Sequence, residues 1–353
     1  MISNEVKAAL DAVHPLLDPH VAGALTRRLD SLDKAPAALG RIEDLYLHCG
    51  IVQGAESPSA QRKGLFVFCG DHGVIEEGIA HTTAHSGRRR VRLVLRGGDP
   101  VSSLCRRYQI EPVMIDCGLA GGPLSGLERL NAGAAAAANI TRLPALMVED
   151  TNAALLAGLN LARHASSRFD CVGLAHIGDG AMTAAAALLC ALTGSEAAAA
   201  CPKTEDQPEA AHHRMVAAVR TAVGRHSAEC VNPFGALRCL GGWDISAMTG
   251  FLIGAASKRM PVAIDGFVSG VAALAARALA PDSLDAAIFA HESSSPAHEL
   301  LHDVLQVEAC YHLHMHPDSG CAAPMLLHLM ETAIHLVNET AQTGSPDTWS
   351  AQQ

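Results

Sequence analysis

The sequence predicts an α/β chain: a doubly wound, mainly parallel sheet with a smaller helical cap built from the chain termini. Short apolar runs alternate along the chain with longer helical stretches rich in alanine, the pattern of strands buried on both faces and joined by crossover helices. Several of those runs stop at small residues beside polar ones, as in Gly70-Asp71-His72-Gly73, Asp116-Cys117-Gly118 and His176-Ile177-Gly178-Asp179-Gly180. Between Arg238 and Ala276 an apolar helix, a buried strand and a second helix follow one another, one complete unit of a parallel sheet. The alternation is Rossmann-like, and ligands of such sheets sit outside the carboxyl ends of the strands.

Residues 1–60 read as helices with a break at Lys34-Ala35-Pro36, contributing to the small domain. Strands are expected at Gly64–Cys69, Pro112–Gly118, Cys171–Ala175, Pro261–Ile264 and Ala286–Ala290. The helices expected between and after them include Val91–Leu95, Thr151–His164 with an N-cap at Asp150 or Thr151, Met182–Leu192, Ala210–Val223, Ile245–Ser257 and Pro296–Leu305. The large α/β domain spans 61–310. A site loop and a long helix, residues 311–341, return to the small domain, and 342–353 read as a disordered tail.

Composition excludes several classes. The 353 residues carry a formal charge of −10 and no long basic tract, so a nucleic-acid partner is not expected, because phosphate backbones need a concentrated positive surface. No apolar stretch of membrane-spanning length lacks polar interruptions, and the N-terminus does not read as a signal peptide. A cytoplasmic protein is expected. The 11 cysteines stand singly, which fits neither a disulfide framework nor a zinc cluster. Most sit in apolar surroundings as small hydrophobes.

The strand ends supply the candidate site. Gly178-Asp179-Gly180 lies between a strand and a helix, where backbone amides can hold a phosphate. The simpler reading is glycine needed for the turn. Asp71 and His72 suit acid–base or metal chemistry, or are plain polar strand ends. Asp116, Asp265 and His291 lie at equivalent places, and several such groups on one edge make a pocket. His312, His314 and His316 alternate, so an extended chain would present three imidazoles on one face. A solvated strand end is the simpler reading there too, and no metal or cofactor is expected. Arg88, Arg89, Arg90, Arg92 and Arg96 form a solvated helix face or a phosphate-steering patch.

Taken together, GDHGV (70–74), EGI (77–79), LRGG (95–98), ANITRLPAL (138–146), GGWDISAMTG (241–250) and PVAIDGFVSGVAAL (261–274) resemble the nicotinate-nucleotide:dimethylbenzimidazole phosphoribosyltransferases. The likeness runs from Leu39 to Met325, in the family's order and spacing. It implies transfer of phosphoribose from nicotinate mononucleotide to an aromatic base, of benzimidazole or phenolic type, in activation of a cobamide lower ligand. It further implies a homodimer, or a heterodimer with a paralogous subunit. Carried over residue by residue, Asp318 stands where the family has its catalytic glutamate, and His176 replaces a glutamate in the glycine-rich loop. Those two are the implied proton acceptors. Asp71, His72, Gly178, Asp179, Gly180, Gly241, Gly242, Asp265, His291 and Ser293 are the implied substrate-binding positions. His213 joins them where the family has a phosphate-contacting lysine. Ala181 replaces an asparagine, and Thr82-Thr83-Ala84 replace tyrosine-proline-glutamine beside the base pocket. The scaffold is kept and the site rewritten, which implies a different base or a helper subunit. A non-catalytic nucleotide- or base-binding homologue and a metal-dependent hydrolase are the other readings.

Overall fold

A computed structural model describes residues 1–79, 86–122, 124–130, 133–204, 207–317 and 319–343. The strands are β1 (Lys63–Cys69), β2 (Ile110–Asp116), β3 (Glu128–Arg129), β4 (Cys171–Ile177), β5 (Val262–Ile264) and β6 (Ala287–Phe289). The helices are α1 (Asn4–Asp11), α2 (Pro19–Asp30), α3 (Arg41–Gln53), α4 (Ser86–Leu95), α5 (Pro100–Tyr108), α6 (Val148–Arg168) and α7 (Ala181–Thr193). They continue as α8 (Ala197–Ala200), α9 (Glu209–Arg225), α10 (Pro233–Leu240), α11 (Gly242–Ser257), α12 (Gly266–Leu279), α13 (Pro296–Leu305) and α14 (Ala322–Glu339).

The strands pair in the order β3-β2-β1-β4-β5-β6, every pair parallel. This is the doubly wound order, in which the connections run one way from β1 and the other way from β4. All seven residues of β1 and of β4 are buried, as a strand covered on both faces requires. Side-chain alternation splits them between two cores. Phe66, Phe68, Val172 and Leu174 face α6, α7, α11 and α12. Leu65, Val67, Ala175 and Ile177 face α3, α5 and α14. Phe251 of α11 packs on Phe66 and Phe68, with ring centroids 4.9 and 6.0 Å apart.

The five expected strands are present, with ends shifted by up to two residues. β3, only two residues long, follows a glycine-rich link and carries no apolar run to announce it. The helix expected from Thr151 begins at Val148 behind Met147, which makes no side-chain cap. Thr151 lies inside and bonds back to the Met147 carbonyl at 2.8 Å, so its hydroxyl serves the helix interior and not its start. The terminal helices α2, α3 and α14 pack together, and Leu25, Tyr46 and Leu326 join the same apolar cluster as Leu65 and Val67 of the sheet. Gln342 bridges Leu32, and the Thr343 amide donates to the Ser31 carbonyl at 2.9 Å. Residues 344–353 lie outside the described residues. Among the described residues, no helix is long and apolar enough to cross a membrane.

Candidate active site at the carboxyl ends of β1 and β4

Because connections leave β1 and β4 in opposite directions, the loops after these neighbouring strands open a crevice. There the chains approach so closely that side chains are excluded. A Cβ on Gly178 would lie 1.7 Å from the Gly70 carbonyl oxygen. The Asp71 carboxylate staples the edge: Oδ1 accepts the Asp179 amide and Oδ2 the Ala120 amide, both at 2.8 Å. The His72 amide donates to the Asp179 carbonyl at 2.9 Å. Burial pushes the Asp71 carboxyl up against the pull of those two amides, with the neighbouring Asp179 charge adding to the rise. Asp179 directs its own carboxylate to the start of α4, accepting from the Gly87 amide at 3.1 Å and from the Ser86 hydroxyl.

Beneath this edge lies a buried polar cluster. His72 Nε2 and His176 Nε2 approach the same oxygen of Asp244, Oδ2, at 2.9 and 2.7 Å. None of the three residues is more than 4% exposed. Burial acts to raise the Asp244 carboxyl, but the His72 charge and the hydrogen bonds from both rings outweigh it and hold that carboxyl far below its usual range. Burial depresses His72, and the Asp244 charge and hydrogen bond more than reverse this, leaving the ring raised. Gly242, at φ +73°, makes room for His72: a Cβ there would meet the ring at 2.7 Å. Gly241 closes α10, its amide donating to the Leu237 carbonyl at 2.8 Å.

Among the described residues, His72, His176 and Asp244 are the one group whose ligand atoms could surround a cation. Their hydrogen bonding fits that role poorly. A ring bound to a metal through Nε2 carries its proton on Nδ1 and needs an acceptor there, and the Nδ1 atoms of His72 and His176 are buried without a partner.

Two cavities open beside the edge. One, of about 230 Å³, has a polar rim of the Gly178-Asp179-Gly180 turn, Thr183 at the start of α7, Ser86, Arg90 and His316, and apolar walls from Ile75, Ile79, Met182 and Met215. The N-terminus of α7, with Gly180 at φ +85°, offers it free helix amides and the positive end of the helix dipole. The other, of about 220 Å³, lies on the α4–α5 side and has aliphatic walls, Val67, Leu93, Val94, Val101 and Ile177, with Arg90 and Asp99 as its charged residues. Arg90 lines both. So does the 316–320 segment, through His316 in the first and Ser319 and Gly320 in the second.

The remaining expected residues distribute unevenly. Asp318, and the Thr82-Thr83-Ala84 stretch, lie outside the described residues. His176 reaches the apolar cavity only at the sheet, because alternation along β4 turns its ring to the α11 face, away from Ala175 and Ile177. Asp265 caps α14, accepting the Ala323 amide at 2.9 Å. The Phe267 amide ties down Pro317 through its carbonyl at 3.0 Å. His291 accepts the Met315 amide at 3.3 Å and anchors the same segment. Ser293 bonds His298 in the turn before α13, at 3.1 Å. His213 is not gathered: it faces solvent, 3.3 Å from Glu209, because it lies two residues from core-facing Met215 and so on the far side of α9. Nor do His312, His314 and His316 form one face. His314 takes φ +53°, which breaks the extended alternation, and His312 pairs with Glu292 at 3.6 Å.

One residue escaped the sequence reading. Asp244 had a signal, being the one charged residue in an otherwise uncharged, buried helix. Arg90 belongs to the run of arginines expected as a solvated helix face or a phosphate-steering patch, and nothing in the sequence sets it apart from the arginines around it.

Comparison with known proteins agrees with the geometry. The model of a family described as phosphoribosyltransferase matches residues 14–346. A nicotinate-nucleotide–dimethylbenzimidazole phosphoribosyltransferase of Aromatoleum aromaticum is 34% identical, over 95% of this chain and 98% of its own. One of Chlorobium chlorochromatii is 30% identical over 96% of each. The crystal structure of the enzyme of that name from Thermus thermophilus superposes with a TM-score of 0.83 at 28% identity, covering 92% of this chain and 97% of that one. With sequence matched almost end to end and the same fold beneath it, the chain belongs to the phosphoribosyltransferase family.

Proposed function

We propose that this chain moves the phosphoribosyl group of nicotinate mononucleotide to an aromatic base, giving an α-ribotide phosphate. The carrying observation is the pair of cavities meeting at Arg90, one with polar groups at a helix N-terminus set among apolar walls and one aliphatic. The first suits the 5′-phosphate and ribose. The second, below the roughly 300–1,000 Å³ of drug-sized sites, suits a one- or two-ring base held dry and aligned. In the reaction the bond between C1′ and the nicotinate nitrogen breaks, its electron pair leaving with nicotinate. The base attacks C1′ from the opposite face with its lone pair and gives up its proton to a carboxylate. We assign that proton to Asp318, between His316 and Ser319 in sequence, because the His176 ring is engaged with Asp244. The aspartate arm is one methylene shorter than the glutamate of the family pattern.

That shorter arm favours a second reading, in which the chain is the helper subunit of a heterodimer whose partner carries the working glutamate. Both are tested by incubating the pure chain with nicotinate mononucleotide and either dimethylbenzimidazole or phenol, with and without such a paralogue. Nicotinate and ribotide phosphate are expected in equal amounts. Product only in the presence of the paralogue selects the helper reading. No ribotide under any combination overturns both.

A further inference from the structure

The cluster of His72, Asp244 and His176 joins three segments far apart in sequence: the loop after β1, the end of β4 and the first turn of α11. Two imidazoles share one carboxylate oxygen, and the residues on either side of them build the rim of the polar cavity. His72 is bound through its amide to the Asp179 carbonyl, and His176 precedes Gly178 by two residues. A buried carboxylate is stable only when its charge is answered. Here the answering groups are these two rings. Asp244 must therefore stay where both rings can reach it, and the rings must stay where Asp244 is. Other charged groups near the cluster are Asp71 on the β1 loop and, across the sheet edge, Asp179, Asp116 and Arg90.

We infer that Asp244 is a positioning residue: its carboxylate, held between His72 and His176, locks the ends of β1 and β4 to the start of α11 and so fixes the Gly178-Asp179-Gly180 turn in the shape that receives a nucleotide phosphate. The inference rests on the phosphoribosyl-transfer reading for its ligand. Its structural half does not. The Asp244→Asn variant keeps the size of the side chain but loses the charge. Both rings meet the same oxygen, so an amide oxygen placed there still accepts from both, but as a neutral and weaker acceptor that no longer answers an imidazolium charge, and the joint between the three segments loosens.

The test is Asp244→Asn beside His176→Gln and His176→Leu, each checked for folding by its thermal midpoint. Calorimetry with nicotinate mononucleotide is expected to show about a tenfold to hundredfold loss for Asp244→Asn and His176→Leu, the scale of one hydrogen bond to the phosphate. His176→Gln, whose side-chain amide still donates to Asp244, is expected to retain most of the affinity. Affinity for dimethylbenzimidazole should not move in Asp244→Asn, whose side chain lines neither cavity. In turnover the defect should appear in KM for the nucleotide and not in kcat, as loss of uniform binding does. Unchanged nucleotide affinity in a folded Asp244→Asn protein overturns the inference. So does a loss shared equally by the base, which marks general destabilisation. If Asp244→Asn does not fold, the His176 pair decides by nucleotide affinity: equal affinities in folded His176→Leu and His176→Gln overturn the inference. If the wild-type chain binds no nicotinate mononucleotide, the functional reading fails, and two further measurements decide the clamp. Nitrogen NMR should find protons on both Nε2 atoms, and amide exchange across 177–180 should quicken in the His176→Leu protein. A bare Nε2 on either ring, or unchanged exchange, overturns it.

Discussion

Asp71 and Asp179 hold each other in series: Oδ1 of Asp71 accepts the Asp179 amide at 2.8 Å, and the Asp179 carboxylate then caps the start of α4 through Gly87 and Ser86. One carboxylate fixes the loop and the loop's own carboxylate fixes the next helix. The first link serves two amides, those of Asp179 and Ala120. Asp71→Ala strands both donors in a site 7% exposed, and an unsatisfied buried donor costs about 1–3 kcal/mol. The variant is expected to lose about 2 kcal/mol or more of unfolding free energy. Asp71→Asn keeps one acceptor oxygen and should lose less. Denaturant midpoints at constant slope distinguish the two.

The second link has a smaller expected effect. Asp179→Ala removes the carboxylate that meets α4 at its first turn, and loss of such a cap costs about 1 kcal/mol. Because Ser86 and Arg90 on α4 line the polar cavity, the same variant should weaken binding of nicotinate mononucleotide, read by calorimetry. A fall in stability with no change in affinity would confine Asp179 to the fold.

The crossing of α6 and α11 depends on glycine. A Cβ on Gly158 would lie 1.9 Å from the Ala247 carbonyl oxygen, and one on Gly250 would lie 2.1 Å from the Leu155 carbonyl oxygen. Both obstacles are backbone, so neither can rotate away. Gly158→Ala must spread the helices and is expected to cost about 1–3 kcal/mol or more, the range of overpacked cores. That loss would reach the site, since α11 carries Asp244. A wild-type denaturant midpoint for Gly158→Ala would refute the close-packing argument.

These cases separate what the sequence makes legible from what it does not. The runs at β1, β2, β4, β5 and β6 are apolar at their centres and bounded by small or polar residues, so composition and punctuation reveal them. The same features place Asp71, Gly178 and Asp265 at strand ends. What those side chains do there depends on partners remote in the chain: Asp265 meets Ala323, and His176 meets Asp244. No local pattern encodes such pairings. His213 shows the converse, because an aligned position tells nothing about the side of the helix on which it falls. Asp244 was visible as a lone acid in an apolar helix, yet its meaning appears only once two imidazoles are seen to share its oxygen.

The corner where β6 meets α13 should make the protein acid-sensitive. Burial, followed by the charges of His302 and His291, pushes the His298 ring down to about 3. Burial, followed by the charges of His312 and His302, pushes His291 down to about 4. Both rings serve as acceptors, of the Ser293 and Met315 amides, which requires the neutral form. A histidine depressed on folding contributes its stability fully above its ordinary value near 6.5 and loses it as pH falls toward the folded value. Stability should therefore decline from about pH 6.5 downward, by at most about 1.4 kcal/mol per pH unit for each ring. His298 is 1% exposed and should carry most of it. The His298→Gln variant keeps an acceptor that does not titrate, so its thermal midpoint should fall less between neutral pH and about pH 5. An equally steep decline in that variant would move the acid sensitivity elsewhere.

Arg90 lines both cavities, so its guanidinium can reach a ligand in either. Nicotinate mononucleotide has two anionic ends, a phosphate and a ring carboxylate, and α7 offers its helix terminus to only one of them. A guanidinium matches a planar carboxylate or a phosphate with two parallel hydrogen bonds, which an ammonium does not reproduce. Hydrogen bonds to charged groups contribute about 1.5–3 kcal/mol, so Arg90→Met is expected to weaken nucleotide binding by about tenfold to a hundredfold. Arg90→Lys should recover only part of that. If Arg90 meets the ring carboxylate, the wild-type protein prefers the nicotinate over the nicotinamide nucleotide and Arg90→Met loses the preference. If it meets the phosphate, both nucleotides weaken together. Calorimetric titration of the three proteins with both nucleotides separates these cases, and equal affinities throughout would remove Arg90 from the site.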